Sequence, residues 1–268
     1  MEIYVNEKLV KIEDRTSLFQ LKEIYKKGVD LIVYNGFPCD KDLFLQNGDS
    51  IVFIKKGHIP KEYEIEFQLN VRHTKKIQDK IKNSTVYIAG LGGLGSNAAV
   101  SLARIGIGKL VLVDYDVVEL CNLNRQYYFI DQIGMKKTEA LAETINRCNP
   151  FIKVETKNVL INKNNISSIF KDADLIIEAL DDNKSKALLV NKILLEMKHK
   201  IIVASSGMAG YFSSNTIKTR KISDRFYLIG DEISKVKTGC GLMAPRVAIA
   251  ANHEANMILR IILNENNV

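Results

Sequence analysis

The stretch VYIAGLGGLGSNAAVSLARIGIGKLVLVDYD, Val86 to Asp116, leaves few folds open to this chain. An apolar run meets Gly90-x-Gly92-x-x-Gly95, a helical pattern follows, and a second apolar run ends on Asp114. Strands that are apolar throughout, rather than on alternate residues, are buried on both faces, as in a parallel sheet covered by helices. The pattern continues downstream. KVETKNV, DLIIEAL and KIIVASS read as strands, with the helical stretches GMKKTEALAETINRCN and NKSKALLVNKILLEMK between them. Residues 84–268 are therefore expected to form a doubly wound, mainly parallel α/β sheet. YFSSNTIKTRKI and RFYLIG read as added strands, and APRVAIAANHEANMILRIIL as a closing helix with Pro245 in its first turn.

Residues 1–57 carry a separate pattern. IYV and KLVKI flank Asn6-Glu7, a hairpin signal. SLFQLKEIYKK spaces Leu18, Leu21, Ile24 and Tyr25 as on a helix face, with Thr16 or Ser17 available as N-cap. DLIVYNGFP and DSIVFIKKG add strands around the turns Asn35-Gly36 and Asn47-Gly48. Two strands, a helix and two strands make a ubiquitin-like β-grasp domain. Residues 58–83 are rich in Lys and Glu, with helical spacing in TKKIQDKIKN, and read as a linker and entry helix.

Composition excludes several classes. No apolar run nears the roughly 18 residues that span a membrane, and the N-terminus lacks a signal-peptide pattern. The four cysteines, Cys39, Cys121, Cys148 and Cys240, form no C-x-x-C pair. That pattern suits a reducing cytoplasm and predicts no structural zinc. The formal charge of +7 fits a nucleotide, an acidic protein or RNA.

In a Rossmann-like sheet, ligands sit beyond the carboxyl ends of the strands. The turn Gly90 to Gly95 lets backbone approach a phosphate, and the following helix presents N–H groups and a positive dipole end. Asp114 ends the second strand, where a carboxylate can accept hydrogen bonds from ribose. This points to a nucleotide without choosing NAD or ATP, and glycines selected only for tight helix–sheet packing would look the same.

The next residues discriminate. CNLNRQ places Asn122, Arg125 and Gln126 after the DYD strand end, and Lys137 follows in GMKK. A nicotinamide dinucleotide carries two phosphate charges, held by backbone and a helix dipole. A triphosphate carries about four, and its pyrophosphate leaving group needs cations. Arg125 and Lys137 fit that need. Asp181, Asp182 and Asn183 close the DLIIEAL strand at the same edge. A carboxylate there can hold Mg²⁺ between phosphates, and Asp182 or Asn183 can equally cap the next helix.

Taken together, GLGGLGS, LVDYDVVELCNLNRQ, GMKKTEA, ALDDN and GLMAPRVAIAA resemble the ThiF/MoeB/ubiquitin-activating superfamily over about residues 70 to 265. SSGMAGYFSSNTIKTRK looks closest to the short ThiF-like branch of bacterial thiamine biosynthesis. The resemblance implies ATP- and Mg²⁺-dependent adenylation of the C-terminal Gly-Gly carboxylate of a ThiS-type sulfur carrier. It puts the backbone of Gly93 on the phosphates, with Gly90, Gly92 and Gly95 in the same turn, and Asp114 on the ribose. Asn122, Arg125 and Lys137 would lie around the phosphates, with Asp182 and Asn183 near the metal and α-phosphate. A homodimer is also implied, with Arg72 of NVRHTKK reaching the partner's nucleotide site, and a sulfur donor such as a cysteine desulfurase.

The chain departs from the family in two places. It lacks the two C-x-x-C pairs that bind zinc in many relatives. Where sulfur-handling relatives place a cysteine, six residues before the MAP segment, stands Lys237, which leaves Cys240 as the candidate thiol. The N-terminal part resembles the carrier ThiS itself in IYVNEK and YNGFPCDKDLFLQNGDSIVFIKKG, yet Lys56-Gly57-His58 runs on and offers no terminal carboxylate. Other readings stay open: an adenylating enzyme with another acceptor (a tRNA-modifying dehydratase or a molybdopterin-type system), a non-catalytic carrier-binding scaffold, and an NAD-dependent dehydrogenase.

Overall fold

A computed structural model describes residues 1–25 and 28–268, which form two compact units, Met1–Gln68 and Leu69–Val268. In the first unit, β1 (Glu2–Val5) and β2 (Lys8–Lys11) pair antiparallel about Asn6 and Glu7, both at positive φ. Such a two-residue turn matches the twist of its flanking strands. Helix α1 (Leu18–Tyr25) follows, then β3 (Leu31–Tyr34), β4 (Phe37–Pro38) and β5 (Ser50–Ile54). The sheet order is β2-β1-β5-β3-β4, with β1 and β5 parallel, and the unit is a ubiquitin-like β-grasp fold.

Ser17 caps α1 reciprocally: its hydroxyl accepts the Gln20 N–H at 3.2 Å, and the Gln20 side chain accepts the Ser17 N–H at 2.8 Å. Leu18 and Leu21 are fully buried, but Ile24 is 73% exposed and Tyr25 half exposed. The expected four-residue face therefore shortens to two, because the helix runs past a core built on eight buried residues. Lys26 and Lys27, the last residues of the expected helical stretch, lie outside the described residues.

Residues 58–83 are mostly helical, as α2 (Glu62–His73) and α3 (Lys75–Lys82) joined at Thr74, which has φ 68°. The linker expected ahead of the entry helix is itself a helix. Its sequence hides this, because Tyr63, Ile65, Phe67, Leu69 and Val71 alternate with polar residues at the period of a strand. None of α2 is fully buried. Within the first unit, the Lys8 ammonium instead lies over the rings of Tyr63 and Phe67, at 5.3 and 5.1 Å from their centroids.

The second unit alternates strand and helix. Its elements are β6 (Thr85–Ala89), α4 (Gly93–Arg104), β7 (Lys109–Asp114), α5 (Lys137–Cys148), β8 (Lys153–Asn158), α6 (Ile166–Ile169), β9 (Leu175–Glu178), α7 (Asn183–Glu196), β10 (Ile201–Ser205), β11 (Lys218–Ser223), β12 (Phe226–Gly230) and α8 (Ala244–Ile262). The sheet order is β11-β12-β10-β9-β6-β7-β8, parallel except for β11. This is the expected doubly wound sheet. One apolar core lies under α3, α4, α5 and α8, and a second lies on the opposite face under α6 and α7. Of YFSSNTIKTRKI, only the last part is strand. Tyr211–Ile217 is loop with one 3₁₀ turn, where Ser213 caps by accepting the Asn215 N–H. No helix among the described residues is long and apolar enough to cross a membrane.

Candidate functional site

The strand order reverses between β6 and β9, and the glycine turn leaves β6 at that point. Gly90 has φ +91°, and a Cβ there would stand 2.6 Å from the Ala179 carbonyl oxygen. The ends of β6 and β9 are thus pressed together where only glycine fits. A Cβ on Gly95 would run into the Gly90 carbonyl oxygen, so this glycine sets how closely α4 approaches β6. At Gly93 a Cβ would stand 2.7 Å from a methyl of Val247 and 3.5 Å from Arg125 Cγ. Gly92 has open space on its Cβ side, with Gln126 Nε2 nearest at 3.9 Å, and caps α4 without a side chain. Packing accounts for Gly90, Gly93 and Gly95; access is the better account of Gly92.

Asp114 is buried behind the turn. One of its oxygens accepts the Leu91 N–H at 2.6 Å, and the other accepts the Asp116 N–H at 2.8 Å. The buried Tyr128 hydroxyl donates to the Leu91 carbonyl at 2.8 Å, and burial raises that phenol far above its ordinary range. Leu91, the second residue past β6, is thereby gripped on both sides. Asp114, read from sequence as a ribose ligand, also holds the turn, and each oxygen keeps a second lone pair.

Beyond β7, Asn122 organises its own turn. Its side-chain oxygen accepts the Glu119 N–H at 3.0 Å, and its carbonyl accepts the N–H groups of Arg125 and Gln126. Arg125 then lies beside Gly93, and its Nη1 donates to the Cys121 carbonyl at 3.2 Å and to Asn124 Oδ1 at 2.8 Å. No carboxylate pairs with it among the described residues. Its Nε and the side-chain oxygen of Gln126 are buried without a hydrogen-bond partner. Two orphaned polar atoms beside a glycine turn leave donor and acceptor capacity for a polar ligand. Lys137 opens α5 and is only 6% exposed, with Nζ 2.8 Å from Asp116 Oδ2.

At the end of β9, Asp182 caps α7. One carboxylate oxygen accepts the Ser185 N–H at 2.8 Å and its hydroxyl at 2.9 Å. These bonds hold the carboxyl below its ordinary range. The capping role foreseen from sequence is present, and both Asp182 and Asn183 stay exposed to solvent on the same lip. No group of three or more His, Cys, Asp or Glu side chains is placed to hold a metal among the described residues. Mg²⁺ needs only one or two protein carboxylates when phosphates complete its shell, and exposed Asp182 fits that role.

Cys240, the candidate thiol, is buried. It is 7% exposed, and its sulfur lies 2.7 Å from where a Gly210 Cβ would stand. The loops around it are tied by Arg246, which sequence reasoning quoted in a motif without assigning a role. This buried guanidinium donates to the carbonyls of Phe212 and Ser213, to Thr216 Oγ1 at 2.9 Å and to Asp231 Oδ2 at 2.6 Å. Burial alone would raise Asp231. The N–H groups of Ser234 and Ile233, the Ser234 hydroxyl and Arg246 outweigh it and hold the carboxyl low. Asp116 and Tyr128 were likewise missed as working residues, and Gln126 was named in CNLNRQ without a role. Of the two missed, Asp116 had a local signal, as the second acid of DYD.

Residues 66–268 match the model described as the ThiF family, and residues 1–57 match one described as ThiS-like ubiquitin. The chain is 33% identical over 197 residues to ubiquitin-like modifier-activating enzyme 5 of Drosophila willistoni, covering 69% of this chain and 45% of that protein. The Gallus gallus protein of that name is 31% identical over 186 residues, covering 69% and 46%. The chain thus spans about half the length of these curated relatives. Among solved structures, E. coli tRNA N6-threonylcarbamoyladenosine dehydratase TcdA in complex with ATP has a TM-score of 0.69 at 21% identity, over 78% of this chain and 98% of that one. E. coli MccB with succinimide has 0.58 at 24%, over 80% and 67%. At those identities the likeness speaks for the fold. The family match, covering the whole second unit and its glycine turn, carries the conclusion: this chain is a member of the ThiF family, with a ThiS-like ubiquitin segment at its N-terminus.

Proposed function

We propose that the chain is an ATP-dependent adenylyltransferase acting on the C-terminal Gly-Gly carboxylate of a ThiS-type sulfur carrier, with release of pyrophosphate, in thiazole formation for thiamine. The carrying observation is Arg125, a guanidinium without a carboxylate partner among the described residues, whose buried Nε and the neighbouring Gln126 oxygen border the glycine turn. Membership of the ThiF family and the name of the curated relatives support a carrier of ubiquitin-like fold. The reading includes a homodimer working in the cytoplasm and a sulfur donor, such as a cysteine desulfurase, that opens the adenylate.

In this reading the N–H groups that begin α4 and the backbone of Gly92 and Gly93 receive the phosphates. Asp114 accepts from the ribose while it holds Leu91. Arg125, Asn122 and Lys137 surround the polyphosphate and stabilise the charge that grows on the leaving pyrophosphate. Mg²⁺, held by Asp182 with Asn183 beside it, would neutralise phosphate charge. The carrier's carboxylate attacks the α-phosphorus and is already ionised, so the protein needs no general base. Catalysis is then positioning and electrostatics.

The formal charge of +7 favours one second reading, the same adenylation chemistry with RNA as acceptor. ATP–pyrophosphate exchange with a Gly-Gly-ended carrier, and separately with tRNA, distinguishes the two. Exchange that depends on carrier is expected. Exchange only with tRNA moves the assignment to the second reading, and no exchange with either overturns adenylation.

A further inference from the structure

Two chain segments leave the sheet side by side at the reversal of strand order. On β6, the last sheet-type backbone bond is Gly90 N–H to Val113 O; on β9 it is Ala179 N–H to Ala89 O. Leu91 and Leu180 are the first residues beyond, and their main-chain groups have lost their strand partners. Both are held by side chains instead. Leu91 is held by Asp114 and Tyr128. At Leu180 the N–H donates to Glu178 Oε1 at 2.8 Å, and the carbonyl accepts from Lys186 Nζ at 2.9 Å. Lys186, in the first turns of α7, also lies 2.9 Å from the Glu178 carboxylate. The clamp on Leu180 is therefore an ion pair closed across the residue it holds.

Nothing in the adenylation chemistry uses this pair. Glu178 is 1% exposed, and a charged group buried so deeply costs desolvation that the pair and its hydrogen bonds must offset. An apolar pair would pack here at lower cost but could not satisfy both main-chain groups of Leu180. What the clamp fixes is the course of the next residues, Asp181 and Asp182, as they emerge onto the lip. Asp182 is then pinned from the far side by its bonds to Ser185.

We propose that Glu178 and Lys186 are positioning residues that hold the Leu180–Asp182 segment so that Asp182 meets the nucleotide's magnesium. This rests on the adenylation reading above. The pair acts through Asp182, so its loss should weaken the use of metal while leaving metal-free nucleotide binding intact.

The test is calorimetric titration of the full chain with ATP, with and without Mg²⁺, beside the Mg²⁺ dependence of pyrophosphate exchange. Glu178→Gln/Lys186→Met removes both charges together and leaves no lone buried ion; Gln still accepts from Leu180, but Met cannot donate to its carbonyl. Thermal melting confirms that the variant is folded. The metal-dependent gain in ATP affinity should fall about tenfold, with a matching rise in the Mg²⁺ needed for half-maximal exchange, the scale expected of a group displaced by a fraction of an ångström. Lys186→Arg, which keeps the donors, should restore most of it. An unchanged metal dependence in the folded double variant overturns the proposal, and so does an equal loss of metal-free binding, which would mark a merely structural role. A wild-type chain without metal-dependent ATP binding overturns both this inference and the reading beneath it.

Discussion

Lys137 Nζ lies 2.8 Å from Asp116 Oδ2, and the two residues are joined a second time by the Lys137 N–H to the Asp116 carbonyl at 2.9 Å. The ammonium is buried and the carboxylate is about two-fifths exposed. Asp116 therefore parks the charge of Lys137 at the edge of the site, where a polyphosphate can compete for it. Lys137→Ala is expected to reduce carrier-dependent exchange by about 10²–10³, the scale for removing one preorganised charge. Asp116→Asn, which keeps the shape and frees the ammonium, should preserve exchange within about tenfold. Equal losses in the two variants would show that the pair is only structural.

Asp182 has two duties that substitution can separate. Ser is as good an N-cap as Asp but brings no carboxylate charge to Mg²⁺. Asp182→Ser should melt close to the wild-type temperature yet lose about 10²–10³ in exchange. Asp182→Ala should lose both. Near wild-type exchange in the Ser variant would refute the metal role.

Glu254, on α8 and fully buried, accepts a hydrogen bond from the Ser205 hydroxyl, and its other oxygen has no hydrogen-bond partner among the described residues. Burial pushes its carboxyl up to about 8 from an ordinary 4.5. The folded state therefore holds the proton more tightly than the unfolded chain. The resulting stabilisation is fully present below about 4.5 and is lost as pH rises through about 8, at about 1.4 kcal/mol per unit between. Glu254→Gln imitates the protonated form and should remove this slope. Denaturant unfolding of both proteins from pH 5 to pH 8 checks it, and parallel curves would contradict the assignment.

Arg72 stands in the last turn of α2. If the nucleotide site is completed by this arginine from a partner subunit, mixing Arg72→Ala chains with Asp182→Ala chains should regenerate activity, since each mixed dimer carries one intact site. No recovery in verified mixed dimers counts against shared sites.

Much of the architecture was legible because it is written in local physics. The turn at Asn6-Glu7 and the cap at Ser17 depend on neighbours within about four residues, and so do the apolar strands from β6 onward. The glycine turn was legible for the same reason, although its rationale gained a part: Gly95 answers to the Gly90 carbonyl within the turn, while Gly90 answers to the backbone of Ala179, a contact that appears only once β9 lies beside β6. Helix α2 was missed because its residues alternate like those of a strand, and the apolar face of α1 was overextended because sequence spacing does not say where a core ends.

The sequence by itself determined the nucleotide-type turn, the doubly wound alternation, and the carboxylates and cations that cluster after the strand ends. Tertiary structure alone decided how those charges are spent. Lys137 is parked on Asp116, Asp182 is bound to its helix, Cys240 is tucked against Gly210, and Glu178 with Lys186 grips Leu180. An ionisable side chain's role is set by burial and by its nearest opposite charge or hydrogen-bond partner. For Arg246 and Asp231, or Glu254 and Ser205, that partner is far along the chain and is delivered only by the packing of α8 against the sheet.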